Sequence, residues 1–349
     1  MKIKSKDVAK ALQISEATVS LVLNEKPGVS SKTRNKVLDY IRKKEEETYQ
    51  KRISKYNSNR KGGLILMLQY IKHGIIFDRM QEDYQPYIRT VRQMVEKEGY
   101  AFEYFRYDER FHDLDKLIEG WKNRNIQGIY LMGAEMDKHD ILYFSKMKVP
   151  IVVGDNNFYD LGIDSYLIDN EEGMRRCVDY LVDCGHSQIM YLAESIDIFN
   201  FTERRNSFKQ EMSRKNCGNA ENRILQMGKN YEEIYYNTLE MLSKGNYRAT
   251  AFILESSLIS LGVIQALQEY HVKIPKNISL IGFDAIPPVN LSALKLTTVK
   301  GTHTMRHMAA IKHLMRHIAD NETEIIRVYY RTKMQPGNSV FDKTKYIYI

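Results

Sequence analysis

The sequence predicts an α/β chain in two parts: a small N-terminal helix-turn-helix head and a larger body of parallel α/β sheets. Three observations carry this prediction. The 349 residues exceed what one hydrophobic core usually holds. The first 62 residues carry 16 Lys and Arg against 7 Asp and Glu, a net of +9 in a chain whose total is +8, so the rest is near neutral at −1. From Gly63 onward, short apolar runs alternate with amphipathic helical stretches, the pattern of parallel α/β sheets.

Composition sets the outer limits. With 43% hydrophobic and 28% charged residues, the chain reads as an ordinary globular protein. Three cysteines, Cys177, Cys184 and Cys217, make neither a disulfide framework nor a metal knuckle, which fits a reducing compartment. The opening MKIKSKDVAK lacks the apolar run of a signal peptide, and no stretch approaches the ~18 apolar residues of a membrane span. A cytoplasmic location without membrane partners is expected. A basic head on a near-neutral body suggests a polyanion partner for the head, because each neutralised phosphate releases counterions.

The head divides into three helices. KDVAKALQ, residues 6–13, spaces Val8, Ala9 and Leu12 helically behind a possible Ser5 cap. A second helix follows Ser15 through EATVSLVLN, with Ala17, Val19, Val22 and Leu23 inward and Glu16, Thr18, Ser20 and Leu21 outward. Pro27 and Gly28 break the chain, and a third helix from about Ser30 turns Val37, Leu38 and Ile41 inward. The tight turn at Gln13–Ile14 completes a helix-turn-helix pattern. Thr18, Ser20, Ser30, Ser31 and Thr33 crowd the helix starts, where hydroxyls and amides suit phosphates. Lys4, Lys6, Lys32, Arg34 and Lys36 add long-range attraction to double-stranded DNA.

The stretch KDVAKALQISEATVSLVLNEKPGVSSKTRNKVLDYI strongly resembles the head of the lactose-repressor (LacI/GalR) family over about thirty-five residues. That resemblance implies that Ser15, Glu16 and Ala17 open the recognition helix, with Glu16 and Ala17 facing the major groove. It further implies that Thr18, Ser20, Asn24, Ser30, Thr33 and Arg34 contact or position the phosphate backbone. Two departures stand out. Leu21 occupies a position that is commonly Arg, so its contact would be apolar, as to a thymine methyl. Gln13 stands where the family often has a turn glycine; a positive φ there would cost about 1 kcal/mol.

The family's linker is a turn followed by a hinge helix whose leucine wedges into the minor groove. Here KKEEETYQKRISKYNSNRKGG contains neither proline nor leucine. Lys and Glu are good helix formers, so the third helix could run on through Lys43–Thr48. Ile53 and Tyr56 are the apolar wedge candidates, Tyr56 closer to the expected place. A working hinge helix and a solvated basic linker both remain open. The expected division is therefore 1–48 for the head, 49–62 for the linker and 63–349 for the body.

In the body, strand candidates are 64–68, 102–105, 128–132, 151–155, 165–168, 189–192, 250–254 and 279–284. They are apolar throughout, as strands buried on both faces are. Helical stretches such as RTVRQMVEKEG, EEGMRRCVDYLVDCG and LISLGVIQALQEYHV lie between them. The number of strands suffices for two sheets, with a chain switch near Asp169, and ligands in such folds sit beyond the C-terminal strand ends.

NIQGIYLM, VPIVVGD, IDNEEGMRRCVDYLVDCGHSQIMYL, RRNSF and IPKNISLIGFD…LTTV extend the same family resemblance over the body. The resemblance implies two Rossmann-like lobes like those of periplasmic sugar-binding proteins, a homodimer, and a small-molecule effector in the cleft. It places Arg204 and Asp284 at the effector, a forked donor and a hydroxyl acceptor. Ser256 and Ser257 stand where the family often has the Asn-Asp pair that grips sugar hydroxyls. The loop QYIKHGIIFDRMQEDYQPY is longer than usual and offers Tyr70, His73 and Phe77; Asp155, Asn156 and Asp169 are further candidates that could equally be turn or cap groups.

Other chemistry finds little support. His303, His307, His313 and His317 form two i,i+4 pairs, but no H-E-x-x-H appears, so a solvated or interface helix is expected rather than a metal site. No G-x-G-x-x-G follows a strand and no G-x-S-x-G surrounds Ser256, so neither a cofactor nor an enzyme is expected. Trp121 reads as packing. The predicted function is a DNA-binding transcriptional regulator, a repressor on a palindromic operator. The alternative is a small-molecule sensor without sequence-specific DNA binding.

Overall fold

The computed structural model describes residues 5–23, 28–55, 62–74, 84–245, 247–284, 293–320 and 324–346. The side chains of 42, 45, 46, 48–55, 84–86 and 346 are not described. Lys4, Asn24, Tyr56 and Phe77 lie outside the described residues, as does the side chain of Ile53.

Helices α1 (Ser5–Leu12), α2 (Glu16–Leu23) and α3 (Ser31–Lys55) form the head. Val8, Ala9, Val19, Val22, Val37 and Ile41 make its core, joined by Phe111 from further along the chain. Gln13 adopts φ 55, and the Ile14 N–H reaches the Ala9 carbonyl at 3.1 Å. This is the left-handed helix cap that favours glycine, so Gln13 bears the expected strain of about 1 kcal/mol. Ala17 departs from the expected inward set: it is exposed, because Val19 and Val22, one turn apart, already fill the buried stripe of α2. The third helix runs past Thr48 to Lys55, into the segment read as linker.

Contacts along the backbone group the chain into two compact units, 1–132 with 136–151 and 314–321, and 133–135 with 152–313 and 322–349. After the head, the first unit holds β1 (Leu64–Ile71), α4 (Tyr84–Lys97), β2 (Ala101–Asp108), α5 (Leu114–Lys122), β3 (Ile126–Met132) and α6 (Lys138–Ser145). β1 is buried at every position and pairs in parallel with β2 and with β3, which explains its unbroken apolar run. Trp121 is fully buried, edge-on to Phe105 with centroids 5.8 Å apart.

The elements that follow are β4 (Ile151–Gly154), β5 (Asp164–Ile168), α7 (Asn170–Asp183), β6 (Ile189–Ala193), α8 (Phe199–Arg214), β7 (Ile224–Gln226) and α9 (Tyr231–Lys244). Then come β8 (Ala251–Leu254), α10 (Ser257–Glu269), β9 (Ser279–Phe283), β10 (Thr297–Lys300), α11 (His303–Asp320), β11 (Arg327–Tyr330) and β12 (Lys333–Gln335). The strands make two six-stranded sheets, β2-β1-β3-β4-β5-β11 and β7-β6-β8-β9-β10-β12. β10 and β12 are antiparallel. The chain leaves the first sheet after β5, at Asp169, whose side chain caps α7 by accepting from the Glu172 N–H at 2.9 Å.

All eight predicted strands form; β7, β10, β11 and β12 were not anticipated. Three of these are sheet edges with partly exposed, mixed side chains, so they lack the apolar signature of central strands. β10 is buried yet rich in threonine, and Thr297 Oγ1 accepts from the Gly337 N–H at 3.0 Å. In the second sheet, Met174, Cys177, Val178 and Leu181 of α7 pack on Ile189, Tyr191, Ile253, Ile281 and Phe283.

α11 does not carry the solvated histidine face that was one of its two expected readings. His307, His313 and His317 are all buried, and only His303 in the first turn is partly exposed. Apolar partners Ala310, Ile311 and Leu314 lie on the same buried stripe, so the polar spacing alone misidentified the inner face.

Candidate functional site

In the head, the Ser15 hydroxyl accepts from the Thr18 N–H at 3.0 Å, and the Ser30 hydroxyl accepts from the Thr33 N–H at 3.2 Å. Each is an N-cap, and in each the two hydroxyls also pair, at 2.8 and 2.9 Å. The caps hold two hydroxyl pairs at helix N-termini, whose dipoles favour anions. Lys6, Ser15, Glu16, Ala17, Ser20, Ser30 and Lys32 are exposed, while Thr18, Leu21, Thr33 and Arg34 are half-buried. Arg34 Nη1 donates to the Val22 carbonyl at 3.3 Å, so it ties α3 to the end of α2. A side chain expected to position DNA backbone thus also positions α2.

The second cluster lies at the C-terminal ends of β4 and β9, where Asp155 and Asp284 sit in left-handed backbone with φ 67 and 72. Their amides are fixed to Tyr166 and Val299 carbonyls at 3.1 and 2.8 Å. Non-glycine residues in this region are strained, and such strain collects at binding sites. α7, α8 and the first turn of α11 supply Asn170, Asn200, Arg204, His303 and Arg306.

These seven residues close a ring. Arg204 Nη2 donates to Asp284 Oδ2 at 3.4 Å and its Nε to Asn170 Oδ1 at 2.9 Å. Asn170 Nδ2 donates to Asn200 Oδ1 at 2.8 Å, and Asn200 Nδ2 to the Asp155 carbonyl at 3.2 Å. Arg306 Nη1 bonds Asp155 Oδ1 at 2.5 Å, and its Nη2 reaches His303 Nδ1 at 3.3 Å. His303 Nε2 faces Asp284 Oδ1 at 3.6 Å. The Arg204 guanidinium also stacks on Phe283, 3.6 Å from its centroid, and Nη1 donates to the Glu255 carbonyl at 2.8 Å.

Electrostatics keep both acids charged. Burial opposes the charge on Asp284, but Arg204 beside it, with His303, holds its carboxyl down to about 2. Burial likewise opposes the charge on Asp155, and Arg306, His307 and His303 hold it below the usual range. Burial and the neighbouring Arg306 charge push His307 down to about 3, so it is neutral.

Among the remaining effector candidates, Ser256 and Asn156 are already engaged. Ser256 caps α10 by accepting from the Ile259 N–H at 3.2 Å, and its hydroxyl donates to Glu194. Asn156 Nδ2 donates to the Gly133 carbonyl at 2.9 Å. Tyr70 and His73 belong to the first unit. Tyr70 is buried against Tyr107, centroids 4.8 Å apart, and burial pushes its phenol far above the usual range. His73 is exposed.

Asn170, Asn200 and Arg306 were not singled out beforehand, and His303 was noted only for its histidine spacing. One signal was available: α11 starts just past the C-terminal end of β10, the ligand side of such sheets. Polar residues in that first turn carried more weight than the histidine spacing that drew attention.

The chain matches the family model "Bacterial regulatory proteins, lacI family" over residues 5–45, and that of a periplasmic binding protein-like domain over residues 178–340. It is 26% identical over 332 residues to an HTH-type transcriptional repressor PurR of Mannheimia succiniciproducens, covering 93% of this chain and 95% of that one. It is 25% identical over 304 residues to an HTH-type transcriptional regulator MalR of Clostridium butyricum, covering 84% and 87%. Among solved structures, it resembles a transcriptional regulator CelR–cellobiose complex at TM-score 0.67 and 18% identity, covering 97% of this chain and 100% of that one. It also resembles the lac repressor dimer bound to operator and the anti-inducer ONPF, at TM-score 0.66 and 18% identity, covering 98% and 100%.

Proposed function

Since the chain belongs to the LacI family of bacterial regulatory proteins, we propose that it represses transcription by binding a palindromic operator as a homodimer, under control of a small molecule. The observation that carries this reading is the head. A helix-turn-helix packs around Val8, Val19, Val22 and Val37 and presents Glu16, Ala17 and Ser20 outward between two capped helix starts. Residues 1–62, the head together with the linker, carry a net of +9 in a chain whose total is +8. Residues 1–48 serve as the DNA-binding domain, 49–62 as the linker and 63–349 as the effector and dimerisation domain. Dimerisation follows from affinity, because one small head rarely supplies nanomolar binding.

The ring around Arg204 and Asp284 is the effector site. A ligand there that prefers one conformation of the body shifts the equilibrium between operator-binding and released states. No catalytic step is assigned to any residue. No described helix is long and apolar enough to cross a membrane.

Selection of bound sequences from a random duplex library tests the reading. The expected product is one palindromic consensus; recovery of no consensus rejects it in favour of a sensor that does not read DNA. Arg204→Ala is expected to abolish the effector response while operator binding persists, and a retained response would remove Arg204 from the effector site.

A further inference from the structure

Among the described residues, Phe111 is the one member of the head's core cluster that the head does not supply. It lies in the charged loop DERFHD, 108–113, that follows β2, yet it is only 8% exposed. Loops of this composition run over the surface, where a phenyl group meets water unless something covers it. Here Phe111 completes the apolar interior built by Val8, Ala9, Val19, Val22, Val37 and Ile41. The body thus reaches into the head with one side chain.

The loop that presents Phe111 is fixed by bonds within the body. Asp108 is buried, and its carboxylate accepts from Arg110 Nε at 2.9 Å, Arg110 Nη2 at 2.8 Å and the Arg110 N–H at 3.2 Å. The N–H groups of Phe111 and His112 both donate to the Asp108 carbonyl at 2.9 Å, which closes the turn. The Arg110 guanidinium lies over the Phe111 ring, 5.3 Å from its centroid. A side chain held in place before contact loses little freedom on docking, so more of its apolar burial is left to favour the contact. Docking also leaves the reading side free: Glu16, Ala17 and Ser20 stay exposed, as do Lys6, Ser30 and Lys32.

We infer that Phe111 anchors the head on its own body and so sets the direction in which the head faces DNA. The contact stands independently of DNA reading, while its consequence rests on the operator-binding dimer. Two heads joined to their bodies only by polar linkers would sample many orientations, and engaging both half-sites at once would cost that freedom. Anchored on Phe111, each head keeps one orientation, and the dimer presents its two readers at one separation. The loop after β2 is in this way an interaction surface whose partner is the chain's own DNA-binding domain.

Hydrogen exchange of the full chain, read by mass spectrometry, tests the contact from both sides. Phe111→Ala should speed exchange in α1 and α2 about 10- to 100-fold, the loss expected when the burial of a phenyl group is removed. Phe111→Leu should stay within a few-fold of wild type, and unchanged exchange in β1 and β3 checks that the body remains folded. Val19→Ala acts from the other side: it leaves a cavity in the head core, and the Phe111 and His112 amides should then exchange faster by a similar factor. This second variant decides the matter even where Phe111→Ala unsettles the body. Exchange unchanged in α1 and α2 of Phe111→Ala, or unchanged at Phe111 and His112 in Val19→Ala, overturns the anchor.

Selection from duplexes with randomised half-site separation tests the consequence. Wild type should recover one separation and Phe111→Ala several, with affinity for the wild-type operator at least about tenfold weaker. The same single separation in both proteins overturns the orienting role. No palindrome recovered by wild type, with both exchange results as expected, rejects the operator reading and leaves the anchor standing.

Discussion

Arg205→Met offers a sharp test of how the effector ring is supported from beneath. Arg205 grips Glu255 with two bonds, Nε to Oε1 at 2.7 Å and Nη2 to Oε2 at 2.9 Å. Glu255 is fully buried and also accepts from the Tyr191 hydroxyl at 3.0 Å and the Glu194 N–H at 2.7 Å. Its own carbonyl receives Arg204, so the pair sets the position of the ring's central cation. Deleting one partner of a buried ion pair leaves a charge without its counterion, which costs about 3–5 kcal/mol. Burial already pushes the Glu255 carboxyl up, and losing Arg205 pushes it further.

A carboxyl whose folded-state pKa is raised stabilises the fold when protonated and loses that contribution as pH rises from its unfolded value toward the folded one. The cost of Arg205→Met therefore grows with pH, by up to about 1.4 kcal/mol per unit in that window. Urea unfolding at pH 5 and pH 8 should show the larger loss at pH 8. Adding Glu255→Gln should recover most of it, leaving the double variant within about 2 kcal/mol of wild type. A loss below about 1 kcal/mol, or one equal at both pH values and not relieved by Glu255→Gln, would refute the reasoning.

Gln13→Gly should stabilise the head by up to about 1 kcal/mol, since it relieves φ 55, with the unfolded chain's added freedom offsetting part of the gain. Slower amide exchange at Ile14 is the readout, and faster exchange would contradict it. Ser15→Ala removes the cap on Thr18 and should cost the head about 1 kcal/mol while weakening operator binding; unchanged exchange in α2 would show the cap to be dispensable. The Asp284 charge contributes about 2 kcal/mol at neutral pH, from a carboxyl held at about 2 instead of 3.8. Because this pKa is depressed, the contribution is present above pH 3.8 and is lost as pH falls toward about 2. The stability gap between wild type and Asp284→Asn should close over that range, and a gap independent of pH would remove the Arg204 pairing as its cause.

Legibility in the sequence followed burial. Central strands such as β1 and β8 were readable because both faces are covered and their residues, Gln69 of β1 excepted, are apolar. β11 and β12, at sheet edges, carry Arg327, Lys333 and other exposed groups, so their composition resembles loop. The strain at Gln13 was readable because a turn between two helices requires a left-handed residue there. Arg205 was not: an Arg-Arg dipeptide looks solvated until a buried acid fifty residues on, Glu255, is brought against it. α11 failed for a similar reason, since the spacing of its histidines is the same whichever face turns inward. Long-range pairing, rather than local propensity, decided both.

The central claim is that the head reads DNA sequence, and one equilibrium measurement addresses it most directly. Full-length protein would be titrated, at physiological ionic strength, against a palindromic duplex obtained by selection and against the same duplex scrambled. The account predicts at least about a thousandfold preference for the palindrome, with affinity for both falling steeply as salt rises. Equal affinity for the two duplexes at that salt concentration would contradict it.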